Sequence, residues 1–178
     1  MKKAALTGSL LLLAAAFSVH AQEIFQAVKT DDLAKVRALV EADPQLVRAK
    51  DPDGRTGLHW ACLGVHFEVL KYLVEQGADV NAQDHDGTAP LHSLASKAHD
   101  QGLALLVARK ADVNVKDAEG NTPLMYAAQS GSLAAVRQLM AHGADAAGKS
   151  HFGYTPLLRA ILSKNLEIAA LLIADGAE

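Results

Sequence analysis

Apolar residues return at helical spacing in short stretches of this chain, and most such stretches stop at a glycine. Phe67, Leu70, Leu73 and Val74 precede Gly77, and Leu133, Val136, Leu139 and Met140 precede Gly143. Each stretch predicts a helix with one apolar stripe, closed by a residue in left-handed geometry just past its end. The stretches repeat. Gly54, Gly87, Gly120 and Gly153 stand 33 residues apart, and so do Leu58, Leu91, Leu124 and Leu157. The same step superposes Gly77-Ala78-Asp79, Lys110-Ala111-Asp112, Gly143-Ala144-Asp145 and Gly176-Ala177-Glu178. Four units follow, 51–83, 84–116, 117–149 and 150–178. A fixed period of this size predicts stacked supersecondary units that bury their apolar sides only against one another.

Within each unit the turn chemistry is also periodic. Asp51 to Gly54, Asp84 to Gly87 and Asp117 to Gly120 read Asp-x-x-Gly, a turn in which glycine takes a positive φ without penalty. Threonine then stands where a helix would begin, with proline after it in two units, which predicts an N-cap followed by a residue that has no amide to leave unpaired. The stretches Thr122-Pro123-Leu124, Thr155-Pro156-Leu157, Ala89-Pro90-Leu91-His92 and Thr56-Gly57-Leu58-His59 resemble the Thr-Pro-Leu-His signature of ankyrin repeats. That resemblance implies an all-α solenoid in which each unit is a β-turn finger, an inner helix and an outer helix. Residues 22–50 resemble an N-terminal ankyrin cap, with Ile24, Phe25 and Val28 on an inner helix and Leu33, Val36, Leu39 and Val40 on an outer one. Five units are therefore expected over residues 22–178.

Two units depart from the pattern. The third has Lys110 where glycine is expected and no glycine in its inter-helix turn until Gly102, so local weakness over 96–111 is expected, with the helix end adjusting to avoid left-handed lysine. The last carries Arg159, Lys164 and Asn165 among leucines, isoleucines and alanines, so its outer side is only partly polar. A monomer is expected, this end being where a second copy would attach.

The first residues read differently. Lys2 and Lys3 precede an apolar run from Ala4 to Phe17, and Val19-His20-Ala21 follows, the layout of a secretory signal peptide over 1–21. The run is shorter than the roughly 20 residues that cross a bilayer, so cleavage after Ala21 and no membrane insertion of the mature chain are expected. The signal resembles bacterial ones, and that resemblance implies a periplasmic location. The formal charge of −3 becomes −5 without the two lysines, which disfavours nucleic acid and anionic membranes as partners. Cys62 is the only cysteine, so no internal disulfide forms.

No metal, cofactor or catalytic arrangement is expected. His59 and His92 fall in the signature slot, where the resemblance implies that the ring bonds neighbouring turns. His66 and His99 open outer helices about 8–10 Å apart, too far for two imidazoles to share a zinc ion. Cys62 shares its slot with Ala95, Ala128 and Ile161, which predicts a buried, inert thiol. The chain is therefore expected not to be an enzyme. It is expected to be a protein-interaction module for an unidentified protein, or else an accessory factor that stabilises an exported enzyme.

In ankyrin repeats binding uses the finger tips and the outward positions of the inner helices. The resemblance nominates Pro52, Asp53, Arg55, Trp60 and Leu63, then His85, Asp86, Thr88, Ser93, Ser96 and Lys97. The next units offer Ala118, Glu119, Asn121, Tyr126 and Gln129, and then His151, Phe152, Tyr154 and Arg159. Such a ribbon would be about 40 Å long, enough for a standard protein interface.

Overall fold

A computed structural model describes residues 20–176. Residues 1–19 of the expected signal peptide lie outside the described residues. His20 and Ala21 begin the first described helix (α1, residues 20–29), and Ala21 is buried in the core. There follow α2 (Leu33–Ala42) and a 3-10 turn (Pro44–Arg48), then the pairs α3 (Gly57–Gly64) with α4 (Phe67–Glu75) and α5 (Pro90–Ser96) with α6 (Asp100–Ala108). Two further pairs complete the array, α7 (Pro123–Ser130) with α8 (Leu133–Ala141) and α9 (Pro156–Leu162) with α10 (Leu166–Ala174). Among the described residues there is no strand, only an isolated antiparallel bridge between Lys50 and Thr56. The fold is the all-helical ankyrin-repeat solenoid.

Helices of 7 to 10 residues are too short to persist alone, so stacking supplies their stability. One continuous core runs through the array, from Ile24 and Val28 through Leu58, Leu70, Leu91, Leu103, Leu124 and Leu139 to Leu172. Cys62 is fully buried in it, and burial pushes its thiol up, away from the reactive thiolate.

Polar bonds fix the register between units. Three of the four fingers are closed by a leading aspartate, as when Asp51 Oδ1 accepts the amides of Asp53 (3.0 Å) and Arg55 (2.9 Å), and in the last Ser150 Oγ accepts the amide of Tyr154 (3.1 Å). Successive fingers are joined by their backbones, from His85 N to Asp53 O (2.9 Å), Ala118 N to Asp86 O (2.8 Å) and His151 N to Glu119 O (2.8 Å). Gly54, Gly87, Gly120 and Gly153 all have φ between 69° and 80°, as the turn requires.

The helix starts differ from expectation. Only Thr155 caps as expected, its Oγ1 accepting from Leu158 N (3.1 Å). In α3 and α5 the histidine does the work instead. His59 Nδ1 accepts the amide of Thr56 (3.1 Å) and His92 Nδ1 that of Ala89 (3.0 Å). An accepting Nδ1 leaves the proton on Nε2, which donates to the next finger, at Thr88 O (3.0 Å) and Asn121 O (3.1 Å). Each ring thus bonds two units at once.

The third unit also corrects an expectation. Lys110 does not avoid left-handed geometry; it takes φ 65°. Its amide bonds Val107 O (2.9 Å) and that of Ala111 bonds Leu106 O (3.0 Å), the closure seen at Gly77 and Gly143. Satisfying these carbonyls outweighs the strain. Ala98 in the inter-helix turn is left-handed as well, φ 54°, so this unit holds two such non-glycine residues.

Candidate partner-binding groove

The fingers and the inner helices α3, α5, α7 and α9 enclose a groove whose floor is set by a nine-residue relation. Trp60 Nε1 donates to Asp51 Oδ2 (2.9 Å), and Tyr126 Oη donates to Asp117 Oδ2 (2.8 Å). In each case the aspartate that closes the finger also anchors the aromatic ring of the helix behind it. Burial alone would raise both carboxyl groups. The amides, the indole and the phenol that bond them prevail, and both stand below the ordinary carboxylate value. Burial and the Asp117 carboxylate together push the Tyr126 hydroxyl up to about 12.

Cations lie over the same rings. Lys29 Nζ, reaching from α1, is 3.6 Å from the Trp60 ring centre, the Arg159 guanidinium is 4.4 Å from that of Tyr154, and Arg55 is 5.4 Å from that of Trp60. Tyr126 also meets His92 edge to face at 5.5 Å. Arg55 Nε donates to the buried Asp84 at 3.1 Å, which raises the guanidinium further and ties the first finger to the second.

Clefts open along this side among the described residues. One of about 410 Å³ lies between α1 and the first finger, lined by Phe25, Lys29, Asp53 and Trp60. A smaller one of about 180 Å³ is apolar, between Leu63, His92, Ser96, Lys97 and Tyr126. Another, about 420 Å³, is acidic, with Asp86, Asp117 and Glu119 beside Tyr126. A cleft of about 530 Å³ opens elsewhere, among the loops between the cap and the first two units, around Lys50, Asp79, Asn81 and Gln83. Its Lys50 and Asn81 side chains already bond backbone carbonyls of neighbouring loops.

Most nominated residues are exposed or half-buried. Asp53, Leu63, His85, Asp86, Lys97, Glu119, Gln129 and Phe152 are exposed, Phe152 at 71%. Trp60, Thr88, Tyr126, Tyr154, Arg55 and Arg159 are half-buried. Two nominated residues are less open. Ser93 is buried, though it lines the small apolar cleft, and Asn121, 3% exposed, gives its amide to Asp117 (3.1 Å) and Glu119 (3.2 Å) while accepting from Arg159 Nη2 (2.9 Å). Asn121 thus holds Arg159 in place. Sequence reasoning missed Lys29 and the anchoring role of Asp51 and Asp117. The repeated spacing 51 to 60 and 117 to 126 was the available signal for the aspartates, whereas nothing local marks Lys29. Among the described residues no group of three or more His, Cys, Asp or Glu is placed to hold a metal ion, and no helix is long and apolar enough to cross a membrane.

Comparison with known proteins agrees with this geometry. A family profile described as Ankyrin repeats (3 copies) matches residues 24–117 and 99–178, and the chain belongs to that family. It is 55% identical over 51 residues to the serine/threonine-protein kinase VIK of Arabidopsis thaliana, a stretch covering 29% of this chain and 12% of the kinase. It is 39% identical over 49 residues to human 26S proteasome non-ATPase regulatory subunit 10, which is 28% of this chain and 22% of that protein. With mouse ankyrin repeat domain-containing protein 40 it shares 34% over 58 residues, 33% of this chain and 16% of that one. The chain spans under a quarter of the length of these relatives, so what the kinase does as a whole does not carry over. Ankyrin repeats are generally protein-interaction modules.

Proposed function

We propose that this chain is a non-catalytic binding module of the bacterial envelope, exported by a signal peptide cleaved after Ala21, that holds one protein partner across its groove. The observation carrying this reading is the pair of aspartate-anchored aromatics, Trp60 and Tyr126, fixed half-buried on the groove floor. A ring held in one orientation loses little freedom on binding, and aromatics beside arginine are the usual anchors of protein interfaces. Exposed Leu63 and Phe152 extend the apolar contact, while Asp53, Asp86 and Glu119 line the finger tips with negative charge suited to a basic rim on the partner.

Capture from an envelope extract tests this. Wild-type protein should retain a discrete partner, and the Trp60→Ala/Tyr154→Ala double variant should lose it while keeping its helical circular dichroism. Equal retention by both would overturn the groove as the binding site. Assaying the captured partner with and without the chain distinguishes passive scaffolding from stabilisation of an enzyme, which acts by binding the native state. Fractionation should place a mature chain beginning at Gln22 in the periplasm; an uncleaved cytoplasmic chain would refute the location.

A further inference from the structure

We propose that the cleft in front of Tyr126 takes a cationic side chain of the partner, a lysine or an arginine, in the place that Lys29 fills over Trp60. This rests on the groove being the partner's seat. Repeat equivalence supplies the template. The turns between inner and outer helices each contain a left-handed residue, Asp31, Val65, Ala98 and Gly131 in succession. Counting five residues back from these puts Trp60 and Tyr126 in one slot, and counting two back puts Lys29, Leu63, Ser96 and Gln129 in another. Facing Trp60, the preceding unit offers Lys29, whose ammonium lies 3.6 Å from the ring centre. The indole is tethered to Asp51, and Asp51 and Asp53 line the same cleft. The chain thus fills this aromatic, acid-flanked place with a cation of its own.

Facing Tyr126, the preceding unit offers Ser96, which has neither the length nor the charge of lysine, and among the described residues no cation lies over the ring. The surroundings otherwise match. Tyr126 is tethered to Asp117 at 2.8 Å, and Asp86, Asp117 and Glu119 line the cleft with no basic residue among them. The neighbouring cations are committed elsewhere. Arg55 bonds Asp84 at 3.1 Å and stays 4.0 Å from Asp86, while Arg159 bonds Gln129 and Asn121. Asp86 and Glu119 are exposed and open to an incoming charge. The small apolar cleft beside Leu63 shares Thr88 and Tyr126 with the acidic one. A lysine or arginine can therefore lay its methylene stem on the apolar wall and carry its head group to the carboxylates. The ring face and the carboxylates both favour positive charge there, and a neutral side chain gains from neither.

Titrating the full chain with Nα-acetyl-lysine methylamide at constant ionic strength, followed by NMR, tests the proposal. The norleucine analogue, which has the stem without the ammonium, is the comparison probe. The lysine probe should shift the Tyr126 ring signals and the Asp86 and Glu119 amides saturably, with a Kd on the order of 1–10 mM, and the norleucine probe should not. Asp86→Asn/Glu119→Gln, isosteric changes at exposed positions, should raise that Kd at least fivefold with circular dichroism unchanged. Lys29→Ala should vacate the first place, so the fluorescence of Trp60, the single tryptophan, should respond to the lysine probe in that variant and stay constant in wild type. Equal binding of the norleucine probe, an unchanged Kd in Asp86→Asn/Glu119→Gln, or a silent Trp60 in Lys29→Ala would each overturn the proposal. The titration uses no partner, so its failure leaves the groove standing or falling on the capture of the partner alone.

Discussion

Lys110 and Gly77 occupy one structural slot with opposite chemistry, and exchanging them measures what left-handed backbone costs in this array. Both lie just past an outer helix, at φ 65° and 83°, and make the same pair of closing bonds. A Cβ added at Gly77 would meet nothing within 4 Å, so packing does not enter the comparison. Left-handed geometry costs an L-residue roughly 1–2 kcal/mol. Glycine offsets about 0.5–1 kcal/mol of that relief through its greater freedom in the unfolded chain. Because the Lys110 side chain is exposed, almost no burial is lost when it is removed. Lys110→Gly should therefore stabilise by about 1 kcal/mol and Gly77→Ala destabilise by about the same. In urea, a denaturant slope of about 2 kcal/mol/M turns this into midpoint shifts of about 0.5 M in opposite directions. Circular dichroism reports the whole array and Trp60, the single tryptophan, reports one unit, so coincident curves would show that unfolding stays cooperative. An unchanged or lowered midpoint for Lys110→Gly, at constant slope, would refute the reasoning.

Acid should weaken the fold before the carboxylates titrate. Burial lowers the pKa of His59 and His92 below the ordinary 6.5, despite the carbonyls that favour their protonation, so the folded state prefers the neutral rings. The unfolded chain then binds more protons below about pH 6.5; stability is full above that pH and falls beneath it by up to about 1.4 kcal/mol per pH unit for each histidine. Urea midpoints from pH 8 to 5 check this, and a flat profile would contradict the assigned Nδ1 acceptor role. Tyr126→Phe removes the bond to Asp117 and should cost about 1–2 kcal/mol, read as a lowered midpoint at unchanged slope. Cys62 should react with a thiol reagent only at the rate of unfolding; fast labelling of the native protein would show the thiol exposed.

The array was legible in the sequence because its signals are local and repeated. A glycine that needs positive φ, a threonine or proline at a helix start and an apolar stripe each report on a few neighbours, and a common step multiplies them. Lys110 was misjudged because the carbonyls of Val107 and Leu106 need partners more than lysine needs to avoid strain, and that competition leaves no mark on composition. Asn121 was placed on the surface by its slot, yet its amide lies within reach of the Asp117 carboxylate and its oxygen within reach of Arg159, partners four and 38 residues away. Lys29 over Trp60 depends on how the cap meets the first finger. Such contacts follow from three-dimensional stacking, which a register of positions does not contain.

The groove as the partner's seat is tested most directly by photo-crosslinking residues that share a slot on each side of the array, in the native compartment. Leu63, Ser96 and Gln129 are exposed toward the groove, and Lys71, Ala104 and Arg137 are exposed on the outer helices. A crosslinking side chain at each of the first three should give an adduct with one and the same protein, and the outer three should give none. Adducts from the outer positions, with the groove positions silent, would contradict the account.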